Sequence, residues 1–318
     1  MQRYLDKNML LKIRSIILVF FAFAEVLSAQ MSIEKLDEMA EFSFAIMSDN
    51  KGCSVENEDF FKCDQWIREA GDRFILGLGD HVKDNRTNPF LNFIKKDSLW
   101  HNHFYPNIAD GENEFWGRDQ ADWGAGSPIL DYAGLYNRKN VDVRDNKCEY
   151  YAIETYDGIK VHIIQLHFSD SPDDPDIAFN ESSRKYLMDI INGIKKTKKD
   201  IIVVLAHTGP WFDLLSPKNK SLLVKKSDLL LGATTHKYKR YKISDDKNAK
   251  EALALNTGAI ENSFESGYLQ VHVLNNPMRI VVQYQLTKND SRELQKRGYA
   301  YQKIIKGKVE SIDWDRFK

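Results

Sequence analysis

The chain has 318 residues, with 45 Lys and Arg against 46 Asp and Glu for a formal net charge of -1, and it is 42% hydrophobic, 29% charged and 12% aromatic. This is the balance of a globular protein; it excludes disorder, collagen and coiled coil and argues against a dedicated nucleic-acid binder, which carries a basic surplus or stripe. A chain this long buries roughly three quarters of its unfolded surface, enough for one large domain or two modest ones without a disulfide framework.

The first segment reads as a signal peptide. Arg3, Lys7, Lys12 and Arg14 lie ahead of the apolar run 16–24, which is followed by Leu27-Ser28-Ala29-Gln30, where a small residue precedes the expected cut. The run is shorter than the roughly 20 residues a membrane-spanning helix needs, and Glu25 argues against an uncleaved anchor. Residues 1–29 are therefore expected to be removed and the protein exported, periplasmic or secreted, with no stable membrane span. Translation from Met9 would give a more usual positively charged head. The remainder, 30–318, reads as one domain with its core at about 42–286.

Short continuous apolar runs predict buried strands at 42–47, 73–78, 150–155, 160–166, 201–206, 229–232, 268–274 and 279–286. Between them, Phe60, Cys63, Trp66, Ile67 and Ala70 share one face of a helix over 58–70. Asn180 can cap a second helix that turns Tyr186, Leu187, Ile190, Ile191 and Ile194 inward. Tyr156-Asp157-Gly158 reads as a hairpin turn, and the last twenty residues as a loosely attached tail. Cys53 and Cys63 could be bridged or could be two buried thiols, and with Cys148 the odd count leaves at least one thiol unpaired. The lysine run 195–199 reads as a solvated helix end, the acidic stretch 170–176 as a solvated loop, and the aromatic and glycine stretch 115–126 as either a lid or an irregular loop.

Polar residues recur where the predicted strands end. Asp49 follows the first, Asp80, His81 and Asp84 the second, and His167, His207 and His236 three later ones. In open α/β sheets such ends converge on a ligand crevice. Carboxylate, imidazole and amide oxygen together suit borderline divalent ions such as zinc, manganese or iron, and a carboxylate on the tight Gly79-Asp80 turn suits bridging two ions.

The order of these blocks resembles the calcineurin-like metallophosphoesterase family over most of the mature chain. The family's opening Asp-x-His is similar to Asp49-Asn50-Lys51, its Gly-Asp-x-x-x-Asp to Gly79-Asp80-His81-Val82-Lys83-Asp84, and its Gly-Asn-His-Asp/Glu to Gly111-Glu112-Asn113-Glu114. A later strand-end His is matched by Ala206-His207-Thr208-Gly209-Pro210, and the closing Gly-His-x-His resembles Ala233-Thr234-Thr235-His236. The resemblance implies an α/β fold, a four-layer αββα sandwich. It implies two divalent transition metal ions held by Asp49, Asp80, Asn113, His207 and His236, with Asp80 bridging, and hydrolysis of a phosphate mono- or diester by metal-activated water. Its partner would be a phosphorylated small molecule or envelope component.

Lys51 stands where the family has a ligand His, and so does Thr234; Glu112 is either a replacement for the family's Asn or an insertion before Asn113. Lys51, His81, Glu112 and His167 are accordingly the candidate catalytic or phosphate-orienting residues, with His81 and His167 also able to restore coordination or to make supporting contacts. The replaced imidazoles favour, as the alternative, a non-catalytic protein of the same fold that binds a phosphorylated ligand. Other metal-dependent hydrolysis on this scaffold is a third reading, on the unusual 110–114 block.

Overall fold

A strand whose residues are all apolar must bury both faces, so each run needs a cover on either side. The computed structural model describes residues 31–50, 57–81, 89–108, 128–144, 149–166, 181–233, 235–243, 252–260, 265–295, 299–305 and 309–317. Its strands are β1 (Ala40–Met47), β2 (Ile75–Gly77), β3 (Phe104–Pro106), β4 (Val141–Val143), β5 (Tyr150–Tyr156), β6 (Ile159–Gln165), β7 (Asp200–Leu205), β8 (Leu229–Gly232), β9 (Lys239–Tyr241), β10 (Leu253–Asn256), β11 (Gly267–Leu274), β12 (Arg279–Leu286), β13 (Ala300–Ile304) and β14 (Val309–Ser311). They form two seven-stranded mixed sheets, ordered β14-β13-β12-β11-β1-β2-β3 and β4-β5-β6-β7-β8-β10-β9.

Side-chain alternation sorts each strand between two cores. In β7, Ile201, Val203 and Leu205 point into the space between the sheets, where they join Phe44, Ile46, Val271 and Val282. Ile202 and Val204 point outward with Ile164 and Leu230, against Leu187 and Ile191 of helix Glu181–Gly193 and Leu223 of helix Pro217–Lys226. The first sheet is covered by helices Ile33–Met39 and Glu58–Glu69, so the layers run helix, sheet, sheet, helix. Aromatic rings stitch the sheets together: Tyr156 of β5 lies 5.1 Å from Phe42 and 6.0 Å from Phe74 between ring centroids. A buried aromatic side chain of this kind is worth about 1.5–3 kcal/mol.

Two strand ends are shorter than their apolar runs. Around β2, Arg73, Phe74 and Leu78 keep single hydrogen bonds to the β1 backbone at 2.8, 3.1 and 2.8 Å without extending the ladder. The β5–β6 turn is the two-residue Asp157-Gly158, with φ of 50° and 75°, the left-handed pair that matches strand twist. Cys63 is a free thiol inside helix Glu58–Glu69, and burial pushes its pKa up; Cys53 and Cys148 lie outside the described residues. Among the described residues no helix is long and apolar enough to cross a membrane.

The C-terminal residues correct the expectation of a loose tail. β13 pairs with β12 and β14 with β13, and Ile312 and Phe317 are buried against Ile33 and Leu36. The reason is a buried ion cluster that charge counting cannot reveal. Lys303, only 4% exposed, donates to the Asp228 carboxylate at 2.9 Å and to the Ser227 carbonyl at 3.0 Å. Lys196 donates to the other Asp228 oxygen, which also accepts the Ile202 N–H at 2.9 Å. This ties the edge region of the first sheet to the start of β8. Asp228→Asn leaves the Lys303 ammonium without its counter-charge and is expected to cost about 3–5 kcal/mol in urea unfolding. Pairing it with Lys303→Met should recover part of the loss, and a single-variant loss below about 0.5 kcal/mol, the scale of ordinary surface changes, would contradict the cluster's role.

Candidate metal centre

The parallel strands of the two sheets end along one edge. β1, β2 and β3 run parallel in the first sheet, and β6, β7, β8 and β10 in the second. A chain leaving such a strand must satisfy its own polar backbone at the edge, so polar residues belong there. Asp49 follows β1, Asp80 follows β2, His207 follows β7 and His236 follows β8.

Asp49, Asp80 and His207 each bring one ligand atom into a group whose members all lie within 4.8 Å of one another. His236 stands beside it, with Nε2 3.1 Å from Asp49 Oδ1. Three of these four residues have left-handed backbone: φ is 51° at Asp49, 54° at Asp80 and 53° at His236. Each such residue costs about 1–2 kcal/mol relative to extended or helical backbone, and the remaining non-glycine cases among the described residues, Asp157 and Asn276, are in hairpin turns. Strain concentrated where carboxylates and imidazoles meet marks a site held against local preference.

The loops are pinned from both sheets. The Asp49 N–H donates to the Gly79 carbonyl at 3.0 Å, and the Ser48 hydroxyl donates to Asp49 Oδ2 at 2.6 Å. His207 Nδ1 lies 2.6 Å from the Leu78 carbonyl. That contact requires Nδ1 to carry the proton, leaves Nε2 as the lone-pair donor, and crosses from the second sheet to the first. The Ala233 N–H donates to the His207 carbonyl at 2.7 Å. Asn256, buried at the end of β10, donates to Thr235 Oγ1 at 2.8 Å and to the Lys237 carbonyl at 2.9 Å, which fastens the loop carrying His236.

The electrostatics of the group suit a cation. Two carboxylates at this spacing repel by about 3 kcal/mol at an effective dielectric near 20, before solvent screening. Burial alone raises the Asp49 carboxyl, but His236, His207 and Ser48 outweigh it and hold it below the usual carboxylate range. Asp49 Oδ1 is buried and faces His236 Nε2. Two carboxylates and an imidazole gathered at this spacing are a donor set that fits a borderline divalent ion.

His81 sits behind this group. It is fully buried, its Nδ1 is 2.5 Å from Asn50 Oδ1, and its Nε2 accepts the Gly79 N–H at 3.1 Å. Burial pushes its pKa down to about 3, so it is neutral and props the Asp49 and Asp80 loops together. The ring fits because residue 77 is glycine: a Cβ there would lie 2.3 Å from His81 Nε2. Asn107 after β3 completes the edge, donating from its backbone to the Gly77 carbonyl at 2.6 Å and from Nδ2 to the Leu166 carbonyl at 3.1 Å. Gly77, Asn107 and Asn256 escaped the sequence reading; their strand-end positions were the available signal. Lys51, Glu112, Asn113, His167 and Thr234 lie outside the described residues, as do the 115–126 and 170–176 stretches.

No family profile and no curated protein matches the sequence. Solved structures do match. A purple acid phosphatase from yellow lupin aligns at TM-score 0.50 and 10% identity, over 82% of this chain and 53% of that one. A dimetal phosphatase from Danio rerio aligns at TM-score 0.47 and 11% identity, over 80% and 98%, and a 5'-nucleotidase from Candida albicans at 0.48 and 14%, over 79% and 53%. The chain thus spans about half the length of the lupin and Candida chains. With the sheet order above, the lupin match shows the αββα fold of the calcineurin-like metallophosphoesterases, which the motif order resembles.

Gly77→Ala is expected to expel the His81 ring and weaken metal affinity by roughly tenfold or more, the scale for lost support behind ligands, read by metal titration; unchanged affinity would contradict the propping role. The His81 pKa of about 3 lies below the ordinary 6.5, so the unfolded chain takes up its proton first on acidification. Stability should fall as pH drops from 6.5 towards 3, by up to about 1.4 kcal/mol per pH unit. Urea unfolding of His81→Gln should show a shallower acid slope, and equal slopes would contradict the assignment.

Proposed function

We propose that the chain is an exported metal-dependent hydrolase of a phosphate mono- or diester. The observation that carries this reading is the meeting of Asp49, Asp80 and His207 at the parallel strand ends of two sheets. A divalent ion held there, zinc, manganese or iron, supplies Lewis acidity toward a phosphoryl oxygen and lowers the pKa of water.

In this reading Asp80, with two oxygens on a short, strained stem, would be the carboxylate shared between two ions. His207 donates from Nε2, held in that tautomer by Leu78, and Asp49 and His236 form the opposite side. Asn113 contributes an amide oxygen, Lys51 grips the phosphate as a point charge, and Glu112 and His167 are the candidates for protonating the leaving oxygen. His81, enclosed and neutral, positions the loops and transfers no proton. The substrate is a phosphorylated small molecule or envelope component, without nucleic acid as a partner, and the signal segment 1–29 supports export.

One observation favours a second reading, a phosphate-ester binder without turnover: Lys51 and Thr234 occupy positions where the resembled family has ligand imidazoles. A screen against phosphomonoesters, phosphodiesters and carboxylic esters separates the two. Hydrolysis of a phosphoester, lost by at least about a hundredfold in Asp80→Asn with the fold retained, is the expected result. Full activity in that variant would overturn the proposal, and binding without turnover would establish the second reading. Lys51→His should strengthen metal binding, and unchanged or weaker affinity would remove Lys51 from the ligand position.

A further inference from the structure

A cleft of about 730 Å3 lies at the other end of the β6–β7 pair, on the outer face of the second sheet. Its volume falls within the range of small-molecule sites. It is lined where β7 begins, at Asp200, whereas His207 lies beyond the end of that strand. At about 3.3 Å per residue the two places are roughly 20 Å apart.

The floor is aromatic and internally satisfied. Tyr151 of β5 and His162 of β6 lie with rings nearly parallel, 11° apart and 6.0 Å between centroids. The Tyr151 hydroxyl is 2.6 Å from His162 Nδ1, and His162 Nε2 is 3.3 Å from Asp200 Oδ1. The other Asp200 oxygen accepts the Thr197 N–H at 2.5 Å. The one carboxylate at the site is thereby turned into the protein. Ile190 and Ile194, from the end of helix Glu181–Gly193, add an apolar wall.

The rim is cationic, with Lys160, Lys195, Lys198 and Lys199 around the opening. Expected from sequence to be a solvated helix end, the run has a different distribution of work. Lys226 already donates to the terminal helix carbonyls of Ile191, Asn192 and Ile194 at 2.6, 3.2 and 3.2 Å, and Lys196 serves Asp228. The helix end is therefore capped without the four rim lysines, none of which is in an ion pair among the described residues. Like charges gathered round a concave apolar surface repel one another and focus a positive potential into it. An anion relieves that repulsion, and an aromatic floor adds area for a flat, weakly polar body.

We propose that this cleft is a second ligand site, distinct from the metal centre, for a phosphorylated small molecule that carries a planar ring system and is about the size of a nucleotide. The ring lies against Tyr151 and Ile190, and the phosphates lie among Lys195, Lys198 and Lys199. The probes are ADP, which has both parts, and inorganic pyrophosphate, which has only the charge. Titration calorimetry on the full chain should show saturable ADP binding, tighter than pyrophosphate. The double variant Lys198→Glu, Lys199→Glu, on exposed positions that leave the fold intact, should weaken ADP by roughly tenfold or more, the scale for losing charge-assisted contacts. Asp80→Asn, which disables the metal centre, should still bind ADP saturably at the cleft. Absence of saturable ADP binding, equal affinity in the lysine variant, or loss in Asp80→Asn would each overturn the site, and pyrophosphate binding as tight as ADP would overturn the ring contact.

Discussion

Two carboxylates, Asp49 and Asp80, stand within 4.8 Å of each other at the meeting edge of two sheets, and most of the surrounding structure serves to keep them there. Their repulsion and the left-handed backbone at both residues work against this arrangement. What holds it is packing on either side. β1 and β2 are buried on both faces, Ser48 and the Gly79 carbonyl grip Asp49, and His81 fills the space behind. A divalent ion bound there would convert the repulsion into shared attraction.

The second sheet contributes through one contact of particular consequence. His207 Nδ1 meets the Leu78 carbonyl at 2.6 Å, so the imidazole is oriented by the backbone of the opposite sheet. The relative placement of the sheets, set by the Phe42, Phe74 and Tyr156 rings at one level and by Lys303 on Asp228 elsewhere, therefore governs the geometry of the site. The β6–β7 pair carries polar chemistry at both ends: the His207 loop at one, the lysine-rimmed cleft over Tyr151 and His162 at the other.

Much of this was legible in the sequence where burial is two-sided. Continuous runs such as Ile201, Ile202, Val203 and Val204 can satisfy themselves only between two covers, and the polar residues after them mark the edge. β13 was illegible because its inward residue is Lys303, whose burial depends on Asp228, 75 positions away. Gly77 was illegible because its role is the absence of a side chain beneath His81. Asn107 and Asn256 are ordinary in sequence and acquire their roles only when loops from other strands arrive beside them. The lysine run was read from its helix alone, whereas Lys226, from the next helix, performs the capping.

The central claim is that Asp49, Asp80 and His207 hold a divalent ion. The most direct test is elemental analysis of the purified protein beside its His207→Ala variant, with both forms shown to be folded. Stoichiometric zinc, manganese or iron in the wild type, lost or sharply reduced in the variant, is the predicted result. Metal absent from the wild type after reconstitution, or retained in full by the variant, would contradict it.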